Sequence, residues 1–168
     1  GCLIKNKLIP VFVDVEPLSY CIDPNQIEEM ITDKTVAILA PNLMGNICKW
    51  EEISKIAKEN NLIVIEDSAD TLGGTINGKS SGYYSDMSIT SFYGSHIINC
   101  AGNGGALMLN DKNVIDKAKL LRSWGRSSSL FDEKVKQLRT DLILILEELI
   151  MMQNLYLKLQ GIILKVTN

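Results

Sequence analysis

Two kinds of apolar pattern alternate along the chain. Val36-Ala37-Ile38-Leu39-Ala40 and Leu62-Ile63-Val64-Ile65 are short, continuously apolar runs, as expected of strands buried on both faces. Between them, Ile53, Ile56 and Ala57 recur at helical spacing within a segment of roughly 49–60. Upstream, Pro10 to Val15 is rich in β-formers and stops at Glu16-Pro17. Asp23 then offers an N-cap, with Pro24 at the first helical position and Gln26 three residues after the cap. Ile27, Met30 and Ile31 give that short helix one apolar face.

Further on, Gly73 to Gly82 is a glycine- and serine-rich connection with the character of a small hairpin or loop. Ser85 to Thr90 and Ala106 to Leu109 predict two more strands. Lys112 to Leu121 predicts a helix with Val114, Ile115, Ala118 and Leu121 inward, closed by the cationic run Arg122-Ser123-Trp124-Gly125-Arg126. The alternation predicts an α/β fold with a mostly parallel sheet and flanking helices. No internal repeat is present.

Such sheets place their ligands at the carboxyl ends of the strands. Two strand ends carry the candidate chemistry. One is Glu66-Asp67-Ser68-Ala69-Asp70, where Asp67 directly follows a buried run and an unpaired carboxylate is costly. Asp67 either caps the next segment or meets a cation such as a protonated heterocyclic nitrogen. The other is Ser91-Phe92-Tyr93-Gly94-Ser95-His96, followed by Asn99-Cys100-Ala101-Gly102-Asn103-Gly104-Gly105. It holds small residues, hydroxyls and the one histidine of the chain, the ingredients of a loop that lets backbone N–H groups approach a phosphate. An ordinary polar turn with a surface histidine has the same composition.

Composition narrows the classes. With 168 residues, 46% of them hydrophobic, the chain has material for one core. Lys and Arg number 17 against 20 Asp and Glu, a net charge of −3, so there is no basic footprint for nucleic acid. Cys2, Cys21, Cys48 and Cys100 are widely spaced and zinc is not expected. Unpatterned cysteines fit a reducing cytoplasm. No uncharged apolar run approaches the roughly 18 residues that span a bilayer.

Five motifs then occur in a telling order: VFVDV (11–15), VIEDSAD (64–70), SDMSITSFYGSH (85–96), AGNGGAL (101–107) and LRSWGR (121–126). In order and spacing they resemble the DegT-type sugar aminotransferases, pyridoxal-phosphate enzymes of the aspartate aminotransferase fold that act on nucleotide-linked keto sugars. The resemblance covers about residues 8 to 133. It implies that Asp67 holds the pyridine nitrogen and keeps it protonated, and that Ser91 binds the cofactor phosphate. Asp70 stands where the family usually has glutamine near the ring hydroxyl.

His96, five residues after Ser91, is the sharpest departure. Most of the family has lysine there and links covalently to the cofactor. Imidazole has no primary amine, so the cofactor must be held without that link, while histidine can still move protons near neutral pH. The exchange resembles the sugar 3-dehydrase branch, GDP-4-keto-6-deoxymannose 3-dehydratase and its CDP-hexose counterpart, and so does Arg122-Ser123-Trp124-Gly125-Arg126. The implied activity is loss of the C3 hydroxyl from a nucleotide-linked 4-keto-6-deoxyhexose, in deoxysugar or lipopolysaccharide biosynthesis. Pyridoxal or pyridoxamine phosphate is the implied cofactor, and the resemblance implies a homodimeric parent enzyme. The alternatives are a transaminase of the same family, using an amino-acid donor such as glutamate, and a non-catalytic cofactor-binding fragment.

The resemblance also implies further sequence before residue 1, including a phosphate-binding loop, and a C-terminal domain. The chain alone is therefore expected to be inactive. Residues 1–133 read as part of the cofactor-binding large domain and 134–168 as a tail foreign to the family. The plain reading of that tail is one or two leucine-rich helices. A second reading is a shifted frame. Joining each codon's last base to the next two bases turns Met151-Met152-Gln153 into Asp-Ala, and AT-leaning codons elsewhere give Y-D-A-K-F and G-Y-N-F, strings similar to the family's continuation. The nucleotide sequence near codon 134 decides between them.

Overall fold

A computed structural model describes residues 2–96, 98–126, 143–144 and 162–166. In chain order the helices are α1 (Cys2–Lys5), α2 (Pro24–Met30), α3 (Trp50–Glu59) and α4 (Lys112–Arg122). The strands are β1 (Leu8–Phe12), β2 (Thr35–Pro41), β3 (Ile63–Asp67), β4 (Thr75–Ile76), β5 (Lys79–Ser80), β6 (Met87–Ser91), β7 (Gly105–Leu109), β8 (Ile143–Leu144) and β9 (Ile162–Val166). Seven of them form one sheet in the order β1-β9-β2-β3-β6-β7-β8. The neighbours β2, β3 and β6 are parallel, whereas β7 and β9 run antiparallel to the strands they join.

Local chemistry accounts for most of these elements. Asp23 caps α2 by accepting from the Asn25 N–H, and Pro24 opens the helix. Gln26 does not complete a capping box with backbone; its side-chain amide donates to Asp23 instead. Asn77 and Gly78 both have positive φ, 49° and 73°, the backbone demanded by a two-residue turn between β4 and β5. The first strand is shifted from its expected span and ends at Phe12, after which Val15 keeps only an isolated bridge to Ile22.

The core lies on both faces of β2. Ile38, Ala40, Val64 and Ile163 pack with Ile27 of α2 and Trp50, Ile53, Ile56 and Ala57 of α3. Ala37, Leu39 and Leu164 face the other way, against Leu3, Leu8 and Ile65. That is why β2 reads as a continuous apolar run. Two expectations need correction. Leu121 is 69% exposed rather than inward, and Ala118 is the buried residue of α4.

The tail is also not purely helical: Ile143–Leu144 and Ile162–Val166 are strands, and its other residues lie outside the described ones. Ile163 and Leu164 fill the apolar layers on opposite faces of the sheet, and β-branched isoleucine suits a strand. Ile163 is fully buried. Ile163→Ala is expected to cost about 2–4 kcal/mol, against less than about 1 kcal/mol for Ile9→Ala at a half-exposed position. Urea denaturation of the two variants checks this; equal midpoints would show that β9 contributes little. Among the described residues no helix is long and apolar enough to cross a membrane.

Candidate active site

The parallel pairing of β3 with β6 brings two strand ends to one edge of the sheet. Asp67 is the last residue of β3 and lies opposite Ile89, two residues before Ser91 closes β6. Neighbouring elements hold both ends. The Asn42 N–H donates to the Asp67 carbonyl at 2.8 Å, the Ser68 N–H donates to the Ile89 carbonyl at 2.8 Å, and the Thr90 hydroxyl donates to the Ser68 carbonyl.

After Ser91 the chain loops and returns as β7. The Phe92 N–H donates to the Gly104 carbonyl and the Cys100 N–H to the Phe92 carbonyl. A Cβ at Gly104 would collide with the Cys100 sulfur, so glycine is required where the two arms of this loop meet. The loop turns through Gly94 and Ser95, with the His96 N–H donating to the Tyr93 carbonyl.

A cavity of about 230 Å³ opens here, lined by Ala69, Asp70, Thr90, Ser91, Ser95 and His96 together with the apolar Leu72 and Ile98. Its volume is below the roughly 300–1,000 Å³ of sites that enclose a whole ligand. The buried Ser91 hydroxyl accepts from the Tyr93 N–H at 3.2 Å, which leaves its proton to donate elsewhere. His96 Nδ1 stands 3.6 Å from Asp70 Oδ1, with only 16% of the histidine side chain and 26% of the aspartate side chain exposed. The other Asp70 oxygen accepts from the Met44 N–H at 3.1 Å. Met44 has φ 56° within a single 3₁₀ turn, Leu43–Gly45, a backbone rare for a non-glycine residue. Asp70 thus stands beside the histidine, a pairing that the sequence reading did not include.

Asp67 does not line this cavity. It is half-buried, and its Oδ1 accepts from the Ala69 N–H at 3.0 Å. Burial pushes its carboxyl up to about 6; the Ala69 N–H opposes the shift, and the charges of Asp70 and Glu66 add to it. Among the described residues the charges that reach it are both negative, so the site favours a cationic partner. A ring with a protonated nitrogen would meet that demand, and a phosphate would meet the Ser91 proton. The residues present therefore fit pyridoxamine phosphate or its aldehyde form.

Sequence reasoning missed Glu66 and Asn42. Glu66 is 1% exposed on the same face as Val64. Its carboxylate accepts from Asn42 Nδ2 at 3.0 Å, from the Ser68 and Ser81 hydroxyls at 2.5 Å each, and from the Gly82 N–H at 2.8 Å. The signal was present in the alternation: two residues after Val64, Glu66 had to point into the same core, where a charge needs donors.

The sequence profile of the DegT/DnrJ/EryC1/StrS aminotransferase family matches residues 1–144. Over 123 residues the chain is 37% identical to a dTDP-4-dehydro-2,6-dideoxy-D-glucose 3-dehydratase of Saccharopolyspora spinosa, covering 73% of this chain and 26% of that protein. Over 116 residues it is 40% identical to a GDP-perosamine synthase of Caulobacter vibrioides, covering 69% and 31%. Among solved structures, the E. coli GDP-4-keto-6-deoxy-D-mannose-3-dehydratase with bound hydrated PLP is similar at a TM-score of 0.66. It is 30% identical, with 76% of this chain and 36% of that one covered. The chain thus spans about a quarter to a third of the length of these relatives.

Proposed function

The chain belongs to the DegT/DnrJ/EryC1/StrS aminotransferase family, and from that membership we propose that it carries cofactor-binding machinery of a sugar 3-dehydrase. The substrate would be a nucleotide-linked 4-keto-6-deoxyhexose, the reaction loss of the C3 hydroxyl, and the setting deoxysugar or lipopolysaccharide biosynthesis in the cytoplasm. One observation carries this reading: the residue in the loop after β6, five positions beyond Ser91, is a histidine paired with Asp70, not an amine.

When bound, pyridoxamine phosphate supplies an amine to engage the ketone and a ring that delocalises developing charge. Asp67 would hold the proton on the ring nitrogen, where its burial beside the negative Asp70 and Glu66 favours an ion pair. Ser91 donates its hydroxyl proton to the phosphate. Asp70 faces His96 Nδ1 and is itself held by the Met44 N–H, and the imidazole so placed is the group that would exchange the proton. The apolar Leu72 and Ile98 border the same space. A second copy of the whole protein is the expected partner, as the resemblance implies.

A second reading is transamination with glutamate as donor, favoured by the 40% identity to a GDP-perosamine synthase. The two part on product. The whole protein is supplied with pyridoxamine phosphate, GDP-4-keto-6-deoxymannose and glutamate, and the sugar is followed by mass spectrometry. A product lacking the C3 oxygen supports dehydration. An amino sugar formed as glutamate is consumed would replace it with transamination.

A further inference from the structure

We infer that Glu66 is a positioning residue for Asp67: its buried carboxylate gathers the segments around the end of β3 and thereby fixes where the Asp67 carboxyl stands. The inference rests on the reading of Asp67 as the ring-nitrogen partner and extends it to the opposite face of the strand. Adjacent strand residues point to opposite faces, so Glu66 and Asp67 act on either side of one short piece of backbone.

The connections are specific. Glu66 Oε1 accepts from Asn42, Ser68 and Ser81, and Oε2 from the Gly82 N–H. The two serine hydroxyls are also 2.6 Å apart. Asn42 grips both residues at once: its side chain donates to Glu66, while its backbone N–H donates to the Asp67 carbonyl. Asn42 cannot turn, because its Oδ1 accepts from the Cys48 N–H and from Trp50 Nε1, each at 2.9 Å. Ser68, between Asp67 and Ala69, is tied to the same carboxylate, and the Ala69 N–H in turn donates to Asp67 Oδ1. The orientation of Asp67 is therefore inherited from a cluster built around Glu66.

Stability alone does not explain a carboxylate here. A buried charge surrounded by neutral donors is a costly way to fill space. Its specific merit is two accepting oxygens. In Glu66→Gln one oxygen becomes an NH₂ group. It would face either the Gly82 N–H or Asn42 Nδ2, and neither can reverse its polarity, so the cluster must move.

The test uses the 168-residue chain. The Ala69 amide proton shift reports the Asp67–Ala69 hydrogen bond by NMR, and pyridoxamine phosphate affinity is measured by calorimetry. Glu66→Gln should move the Ala69 amide upfield and weaken binding about tenfold, the loss of roughly one oriented hydrogen bond to a charged group. Ile56→Val, a core change on α3, should alter neither reading. If Glu66→Gln fails to fold, Ser81→Ala removes one donor and keeps the charge, and the same two changes are expected at smaller size, about threefold in affinity. An unmoved Ala69 amide with unchanged affinity in either folded variant overturns the inference. Failure of the unsubstituted chain to bind pyridoxamine phosphate would instead count against the reading of Asp67, and the Ala69 amide would still judge Glu66.

Discussion

Asp67→Asn is expected to stabilise the ligand-free chain at neutral pH while sharply weakening its hold on pyridoxamine phosphate. The Asp67 carboxyl is pushed up to about 6 in the folded chain, chiefly by burial, against about 3.9 when unfolded. A raised folded value means that the folded state holds this proton more tightly. The stability so gained is fully present below about pH 4 and is lost as pH rises through about 6. At pH 8 the ionised carboxylate therefore costs up to about 3 kcal/mol, which asparagine avoids while still accepting from the Ala69 N–H. Thermal denaturation should show the variant several degrees more stable at pH 8 and indistinguishable near pH 4. The same change removes the counter-charge for a ring nitrogen, at a cost of several kcal/mol in binding or turnover. Equal melting temperatures at pH 8 would show that this carboxylate is not under electrostatic stress.

The second large effect is expected at His96. In the whole protein, His96→Lys should abolish dehydration, with a loss on the order of 10²–10⁴-fold, the usual range for a removed acid–base group. The introduced amine would stand near Asp70 and could bond covalently to the aldehyde form of the cofactor. Borohydride reduction followed by mass spectrometry would detect that link as a stable mass gain, absent from the unsubstituted protein. Dehydration that survives the substitution would remove imidazole from the proton transfer.

Much of the sheet was legible because its signals are local. Asp23 and Pro24 announce α2, the glycine- and serine-rich run from Gly73 to Gly82 announces a hairpin or loop, and unbroken apolar runs announce β2 and β3. The strand ends were legible as well, since Asp67 and Ser91 terminate parallel neighbours. What local pattern could not give was partnership. Asp70 meets His96 because separate loops after β3 and β6 converge, and Glu66 meets Ser81 and Gly82 across a hairpin. Leu121 misled because its helical spacing matches Ala118, yet it falls in the last turn of α4, at the margin of the face that Ala118 buries.

The position of β9 bears on how the chain is made. Leu8 pairs with Val166 and Phe12 with Ile162, contacts that join nearly opposite ends of the sequence. β1 joins the rest of the sheet through β9, which lies between it and β2. As a nascent chain leaves the ribosome, β1 emerges well ahead of residues 162–166, which must follow before it can be secured. Contacts this distant in sequence slow folding, because a large loop must close before they form. During that interval the apolar edge of β2 is open to pairing with other strands. β1 is thus made long before the strand that holds it, and its place in the sheet is secured late.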